Sequence, residues 1–111
     1  YEMDAMTDHH TDQLFDLSGA RRCVFPVSRF VVDPERFIED SMESVGMGVV
    51  YTRTSNGEVL RAISNIERLT LIETYYHPHH NKLTCMVDSC LEQHDQCLII
   101  DCHSFPARPL P

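Results

Sequence analysis

Residues 83–102, LTCMVDSCLEQHDQCLIIDC, decide the predicted fold, because two different apolar patterns follow each other within them. Apolar residues first recur at the three- and four-residue spacing of an amphipathic helix, which should end between Gln93 and Asp95. The unbroken apolar run from Cys97 to Cys102 then predicts a short strand that is covered on both faces. A helix that leads directly into such a strand is typical of a sheet layered between helices.

The rest of the chain adds segments of both kinds. They are a helix over 7–17, extended chain over 23–32, a hairpin at the Asn-Gly turn of 56–57, a helix over 63–76 and a second helix that begins at Pro78. This mixture predicts an α/β fold, specifically an α/β/α sandwich with a mixed sheet. The 111 residues fit a single domain spanning 1–111.

The composition excludes several classes of function. Seventeen Asp and Glu against nine Lys and Arg give a net charge of −8. That charge opposes binding to nucleic acid and to anionic membranes, because both partners require a basic surface. No stretch approaches the roughly 18 apolar residues of a membrane-spanning helix. The five cysteines are an odd number and do not have zinc-site spacing, which predicts reduced thiols in a cytoplasmic protein.

The predicted strand ends in Asp101, Cys102, His103 and Ser104, whose side chains suit metal binding and acid–base chemistry. In open α/β sheets, ligands bind beyond the carboxyl ends of the strands. Imidazole is a common zinc ligand, and a neighbouring carboxylate often fixes its tautomer. The residue types alone leave two interpretations of His103 open, a metal ligand or a hydrogen-bonded structural histidine.

Three further clusters each have a functional and a structural interpretation. Asp8 and Asp12 share one face of the predicted helix, where they are either carboxylate ligands or acids that stabilise a helix N-terminus. Arg29 and Arg36 either pair with a substrate carboxylate through the planar guanidinium or form surface ion pairs. His80, within a histidine-rich stretch, is a metal ligand, a pocket residue or part of a helix cap.

Five motifs resemble, in their order and spacing, those of the N-formylglutamate amidohydrolase family. They are TDHHTDQLFD (7–16), VSRFVVDPERF (27–37), GMGVVYTRTSNGEVLR (46–61), YYHPHHNKL (75–83) and LIIDCHSFP (98–106). The resemblance implies the fold of the zinc carboxypeptidase-like hydrolases. It also implies zinc-dependent hydrolysis of a small N-formyl or N-acyl amino acid, most typically of N-formyl-L-glutamate to formate and L-glutamate, in histidine degradation.

The resemblance also implies a role for each matching residue in zinc binding. His103 is implied as a zinc ligand, and Asp8 as the carboxylate ligand, with Asp12 as the alternative. The family's further zinc-binding histidine lies in a stretch upstream of Tyr1, and a general-base glutamate is expected downstream of Pro111. The chain is therefore expected to be the central part of a longer amidohydrolase domain, incomplete and inactive alone.

Substrate binding is implied for Arg36, which would hold the substrate carboxylate, for Arg29, which would assist it, and for His80, which would line the pocket. Many family members have Asn where this chain has Glu35. A glutamate at that position would repel the second carboxylate of an N-formylglutamate substrate. The alternative function is a non-catalytic or truncated relative that binds an acidic metabolite or a protein partner.

Overall fold

The computed structural model describes residues 2–104, and within them the regular structure is helical. Its elements are α1 (Glu2–Ala5), α2 (Thr11–Leu14), a 3₁₀ helix (Ser41–Val45), α3 (Asn65–Leu71), a π-helical turn (Ile72–Tyr76) and α4 (His77–His94). The last three follow each other without interruption, so they form one long helix. Irregular chain and turns connect the other elements.

Both ends of the long helix are capped. The Ser64 side chain accepts a hydrogen bond from the Glu67 N–H at 3.2 Å, and the Glu67 carboxylate accepts one from the Ser64 N–H at 2.8 Å. This reciprocal pair satisfies backbone donors that the first helical turn leaves free. The helix ends at His94, where Asp95 adopts a left-handed conformation and donates to the Leu91 carbonyl. The end predicted from the sequence is confirmed.

The π-helical turn lies where the sequence predicted a break between two helices. Proline interrupts an α-helix because it lacks the N–H group and its ring clashes with the carbonyl four residues earlier. Here the N–H of His77 donates to Ile72, five residues earlier, and Pro78 follows in the first turn of α4. The wider turn keeps the helix continuous, and it buries the side chains of Ile72 and Tyr76.

The core forms where this turn packs against two segments of irregular chain. Its buried apolar side chains are Val32, Val49, Val50, Tyr51, Ile72 and Tyr76. The two segments lie side by side, since the N–H of Asp33 donates to the Val49 carbonyl at 2.7 Å. The core therefore fixes the position of the chain that leads into residues 33–36, which belong to the candidate site.

The predicted α/β/α sandwich with a mixed sheet is wrong for residues 2–104, which contain no strand. An isolated antiparallel bridge between Arg53 and Val59 takes the place of the predicted hairpin. The apolar run that predicted a covered strand is exposed, by 84% at Leu98, 57% at Ile99 and 53% at Ile100. A strand requires a neighbour that pairs with its backbone, and within the described residues this run has none.

The predicted helix over 7–17 is also shorter than expected. Only Thr11–Leu14 is helical, because His10 before it adopts a left-handed conformation with φ of 64°. Asp8 lies outside the helix, in the connection from α1. Asp8 and Asp12 therefore do not share a helix face, which was the basis for treating them as interchangeable.

Two other features bear on the class of protein. Within residues 2–104, no helix combines the length and the apolar character that a membrane crossing requires. The cysteines are free thiols, with Cys85 exposed and the other four partly buried. The expected location in the cytoplasm remains a prediction.

Candidate functional site

Three segments of irregular chain meet at the candidate site. The connection between α1 and α2 carries Asp8, the turn after the buried Val32 segment carries Glu35, and the segment after α4 carries His103. The Ser104 hydroxyl donates to the His9 carbonyl at 2.9 Å, which ties the first and last of these segments together. Side chains that are 95 residues apart in the sequence therefore come into contact.

Asp8, Glu35 and His103 each present one potential ligand atom, and these atoms lie within 4.8 Å of one another. We refer to them as the Asp8–Glu35–His103 cluster. Nδ1 of His103 is 3.2 Å from Oδ2 of Asp8 and 3.4 Å from Oε1 of Glu35. All three side chains are partly exposed, so an ion or a small molecule can reach the cluster from solvent.

Asp101 contacts the opposite side of the imidazole. Its Oδ2 atom lies 3.1 Å from Nε2 of His103. This contact with Asp101 has the largest effect on the pKa of His103 and raises it. Burial lowers the pKa, and the hydrogen bond to Asp8 and the charge of Glu35 raise it further, so the pKa lies above its ordinary value. Since a carboxylate only accepts, Nδ1 of His103 donates a hydrogen bond to Asp8, and this nitrogen can bind a metal only after it releases that proton.

Arg29 contacts the carboxylates of Glu35 and Asp8. Its Nη2 atom is 3.1 Å from Oε2 of Glu35 and 3.9 Å from Oδ2 of Asp8. Burial alone would lower the pKa of Arg29, but the negative charges of Asp33, Glu35 and Asp8 outweigh it and raise the pKa. Glu35 thus uses separate oxygens for its two contacts, Oε2 for Arg29 and Oε1 toward the imidazole.

The buried carboxylate of Asp33 stabilises the turn that carries Glu35 and Arg36. Asp33 is 1% exposed, and its Oδ2 atom accepts a hydrogen bond from the Tyr51 hydroxyl at 2.7 Å. Its Oδ1 atom accepts from the N–H of Glu35 at 3.0 Å, which is the side-chain-to-backbone contact that stabilises turns after Asp. Nε of Arg36 lies 3.9 Å from the same carboxylate. Asp33 therefore fixes the backbone at Glu35 and anchors the Arg36 guanidinium.

The Tyr51–Asp33 contact predicts a loss of stability at alkaline pH. Burial and the hydrogen bond to Asp33 raise the pKa of Tyr51 to about 12, from 10.0 ordinarily. Because folding raises this pKa, the stabilisation is complete below about pH 10 and is lost as the pH rises through 12. The difference in free energy of unfolding between wild type and Tyr51→Phe should fall by about 2–3 kcal/mol over that interval.

Urea denaturation at a series of pH values under reducing conditions measures this difference. Tyr75→Phe is the matched control, because Tyr75 is only partly buried. A wild-type advantage over Tyr51→Phe that stays constant from pH 9 to 12 would contradict the prediction.

The long helix supports the same turn from the other side. Nε2 of His80 is 2.9 Å from the Pro34 carbonyl, and since a carbonyl only accepts, this nitrogen carries a proton. The Tyr76 hydroxyl donates to the Arg36 carbonyl at 2.9 Å, and the centroids of the Tyr76 and His80 rings are 4.2 Å apart. His80 is thus adjacent to the site through the backbone before Glu35, and its predicted role in lining a pocket stays a prediction.

The structure brings together some of the sequence-predicted residues and separates others. Asp8, Arg29 and His103 belong to one network of contacts. Arg36 contacts Asp33 beside that network. Asp12, the alternative carboxylate ligand, is outside the cluster among the described residues, and its backbone carbonyl accepts from Arg22.

The sequence by itself does not indicate that Glu35 contacts His103 or that Asp33 supports the turn of the site. The stretch from Arg29 to Arg36 contains two acids between two arginines, which is a signal for mutual ion pairing. That signal indicates paired charges, but it does not indicate that one of the acids also reaches a histidine far away in the sequence. Glu35 was therefore interpreted only as a charge facing the substrate.

The chain matches the model of a known protein family. The family model of N-formylglutamate amidohydrolase matches residues 1–111 and so includes every residue of the site described above. No curated protein and no solved structure is similar enough to match the chain.

Proposed function

Because the chain belongs to the N-formylglutamate amidohydrolase family, we propose that it acts in the zinc-dependent hydrolysis of the amide bond of an N-formyl or N-acyl amino acid. The family is one of amidohydrolases, which supports a hydrolase as the class of enzyme. N-formyl-L-glutamate is the substrate that the family's description specifies. Its hydrolysis would produce formate and L-glutamate.

One observation supports zinc binding in this proposal, namely the 3.2 Å contact between His103 Nδ1 and Asp8 Oδ2. Zinc binds histidine nitrogen and carboxylate oxygen at about 2.0–2.2 Å, so two ligands of a tetrahedral site lie about 3.3 Å apart. The two atoms have the right chemistry and the right separation. The donor set therefore fits zinc.

The side chains around these two residues have separate tasks in the proposed reaction. Zinc, when bound, polarises a carbonyl oxygen and lowers the pKa of water toward neutrality. Asp101 holds the Nε2 proton of His103 and so orients the ring. Arg36 pairs with the carboxylate of the amino acid and aligns its amide, with Arg29 assisting, which contributes through orientation. We assign the general base to no residue of this chain.

Formate release tests the function directly. The zinc-loaded full-length protein is incubated with N-formyl-L-glutamate, and formate is measured alongside the zinc content. Formate release that disappears on chelation of zinc and returns on its addition supports the proposal. A folded protein that binds L-glutamate but neither retains zinc nor releases formate would contradict it and favour the non-catalytic alternative.

Arg36→Ala should raise KM for N-formyl amino acids with a free carboxylate by about 10- to 100-fold, because one charge-assisted contact is lost. kcat should change much less, since the contact is present in both the bound substrate and the transition state. Arg36→Lys, which keeps the charge without the planar fork, should give an intermediate KM. Arg21→Ala, at an exposed position, is the matched control.

The corresponding neutral substrate is an N-formyl amino acid amide, which lacks the carboxylate. Its KM should be the same for Arg36→Ala and wild type. An equal loss toward this neutral substrate would show that Arg36 does not bind the carboxylate.

A further inference from the structure

We propose that Glu35 determines substrate specificity, so that the site prefers N-formyl or N-acyl amino acids without a negatively charged side chain over N-formyl-L-glutamate. The inference rests on the proposed function and narrows its class of substrate. It starts from the ion pair in which Oε2 of Glu35 accepts from Nη2 of Arg29 at 3.1 Å. The charge of Arg29 is therefore already balanced within the protein.

The charges of the site favour a substrate with a single carboxylate. In the described part of the chain, the site contains four carboxylates and two guanidiniums, those of Asp8, Asp33, Glu35 and Asp101 and those of Arg29 and Arg36. A bound zinc ion adds two positive charges and makes this set of groups approximately neutral. The carboxylate that all amino acid substrates share then makes the site negative, and a second carboxylate adds to that charge.

The two arginines differ in their availability for a substrate. Arg36 contacts the Asp33 carboxylate through Nε at 3.9 Å, and among the described residues no carboxylate lies against its two terminal nitrogens. These nitrogens suit the one carboxylate that Arg36 is proposed to hold. Nη2 of Arg29, by contrast, is directed at Glu35 and Asp8. A second substrate carboxylate would have to displace Glu35 to pair with it.

A carboxylate on the substrate side chain would lie close to the charge of Glu35. Oε1 of Glu35 is 3.4 Å from Nδ1 of His103, the proposed zinc ligand, so it is adjacent to the place of the reaction. About five bonds join the formyl carbon of N-formyl-L-glutamate to its side-chain carboxylate carbon, which keeps the two within about 7 Å. At distances below the Debye length of about 10 Å at 0.1 M salt, the repulsion between two carboxylates is only partly screened.

The competing interpretation is that the Arg29–Glu35 pair only stabilises the turn and has no effect on specificity. Glu35→Gln distinguishes the two interpretations. It removes the charge but keeps the size of the side chain, and the backbone N–H of residue 35 can still donate to Asp33. It also leaves Arg29 without its nearest carboxylate, so that Arg29 can pair with the second carboxylate of N-formyl-L-glutamate.

The test compares N-formyl-L-glutamate with N-formyl-L-glutamine, which has nearly the same shape but lacks the second negative charge. kcat/KM is measured for both compounds on the zinc-loaded full-length protein, as wild type, Glu35→Gln and the control Glu39→Gln. Glu39 is an exposed acid four residues from Glu35. The ratio of the two values on one sample does not depend on the fraction that is folded or carries zinc. Calorimetric titration of the metal-free full-length protein with both compounds measures the same preference in binding alone.

The wild type should favour N-formyl-L-glutamine by about 10-fold in kcat/KM and in Kd, as expected for one repulsion between charges several ångströms apart in a partly solvated site. Glu35→Gln should shift both ratios toward N-formyl-L-glutamate by about 10-fold or more, and Glu39→Gln should match wild type. A wild type that favours N-formyl-L-glutamate, or unchanged ratios in Glu35→Gln, would overturn the inference and leave the proposed function standing. A wild type that neither binds zinc nor releases formate from either compound would overturn both.

Discussion

Replacement of His103 by alanine in the full-length protein is expected to remove stoichiometric zinc and to reduce formate release to background. His103 supplies the one nitrogen donor of the Asp8–Glu35–His103 cluster, and its Nδ1 atom contacts both carboxylates. Without the imidazole, Asp8 is the one proposed zinc ligand that remains among residues 2–104, and the site has one ligand fewer than the family's zinc requires. The measurements are zinc content after dialysis, by mass spectrometry, and formate release on the same samples.

His94→Ala is the matched control, since His94 is an exposed histidine at the end of α4. His103 is itself 43% exposed and its contacts are partly exposed ion pairs, so its replacement should change the free energy of unfolding by no more than about 1 kcal/mol. A loss of zinc is then attributable to the missing ligand and not to unfolding. A His103→Ala protein that retains one zinc per chain would exclude His103 as a ligand.

Asp33→Ala should lower the free energy of unfolding by about 2–4 kcal/mol, the largest effect on stability that we expect from a single substitution. The change leaves the buried Tyr51 hydroxyl without its acceptor and removes the contact that shapes the turn at Glu35. It also removes the charge next to Arg36. Urea denaturation measures the effect, and Asp88→Ala on the exposed surface of α4 is the control.

Asp33→Asn distinguishes the two contributions of this side chain. An amide oxygen still accepts one of the two hydrogen bonds, but the charge is gone, so the loss should be smaller than in Asp33→Ala. An Asp33→Ala protein within 0.5 kcal/mol of wild type, roughly the change expected at an unconstrained surface position, would show that the Tyr51–Asp33 contact does not stabilise the fold.

Local sequence patterns predicted the helices better than they predicted the layers of the α/β/α sandwich. The apolar spacing after residue 83 placed the end of α4 correctly, because helical hydrogen bonds join residues close in sequence. The run Leu98–Ile100 predicted a covered strand, but an apolar run specifies burial without specifying a neighbour, and here these side chains are exposed. The assumption of a strand partner at this segment, together with the predicted hairpin at 56–57, contributed to the wrong fold class.

At the candidate site, too, the motifs identified residues correctly but did not predict all of their contacts. The motif resemblance selected Asp8 and His103 as a pair, and the structure brings them to 3.2 Å. The resemblance could not decide whether Asp8 or Asp12 is the carboxylate ligand. Both residues were placed on one face of a predicted helix, and that helix begins only at Thr11. The resemblance also missed that Glu35 faces His103, since no pattern within residues 27–37 refers to a side chain beyond residue 100.

The sequence by itself determined the family, the residue types available for chemistry and the C-terminal end of the long helix, all of which depend on motifs or on neighbours along the chain. Only the tertiary structure decided that Leu98–Ile100 has no strand partner within residues 2–104, that Asp8 and not Asp12 meets His103, and that Glu35 contacts His103 as well. The physical reason is separation along the chain. Contacts across 95 residues depend on how the Asp33 turn, the core and α4 pack together, and local propensity carries no information about that packing.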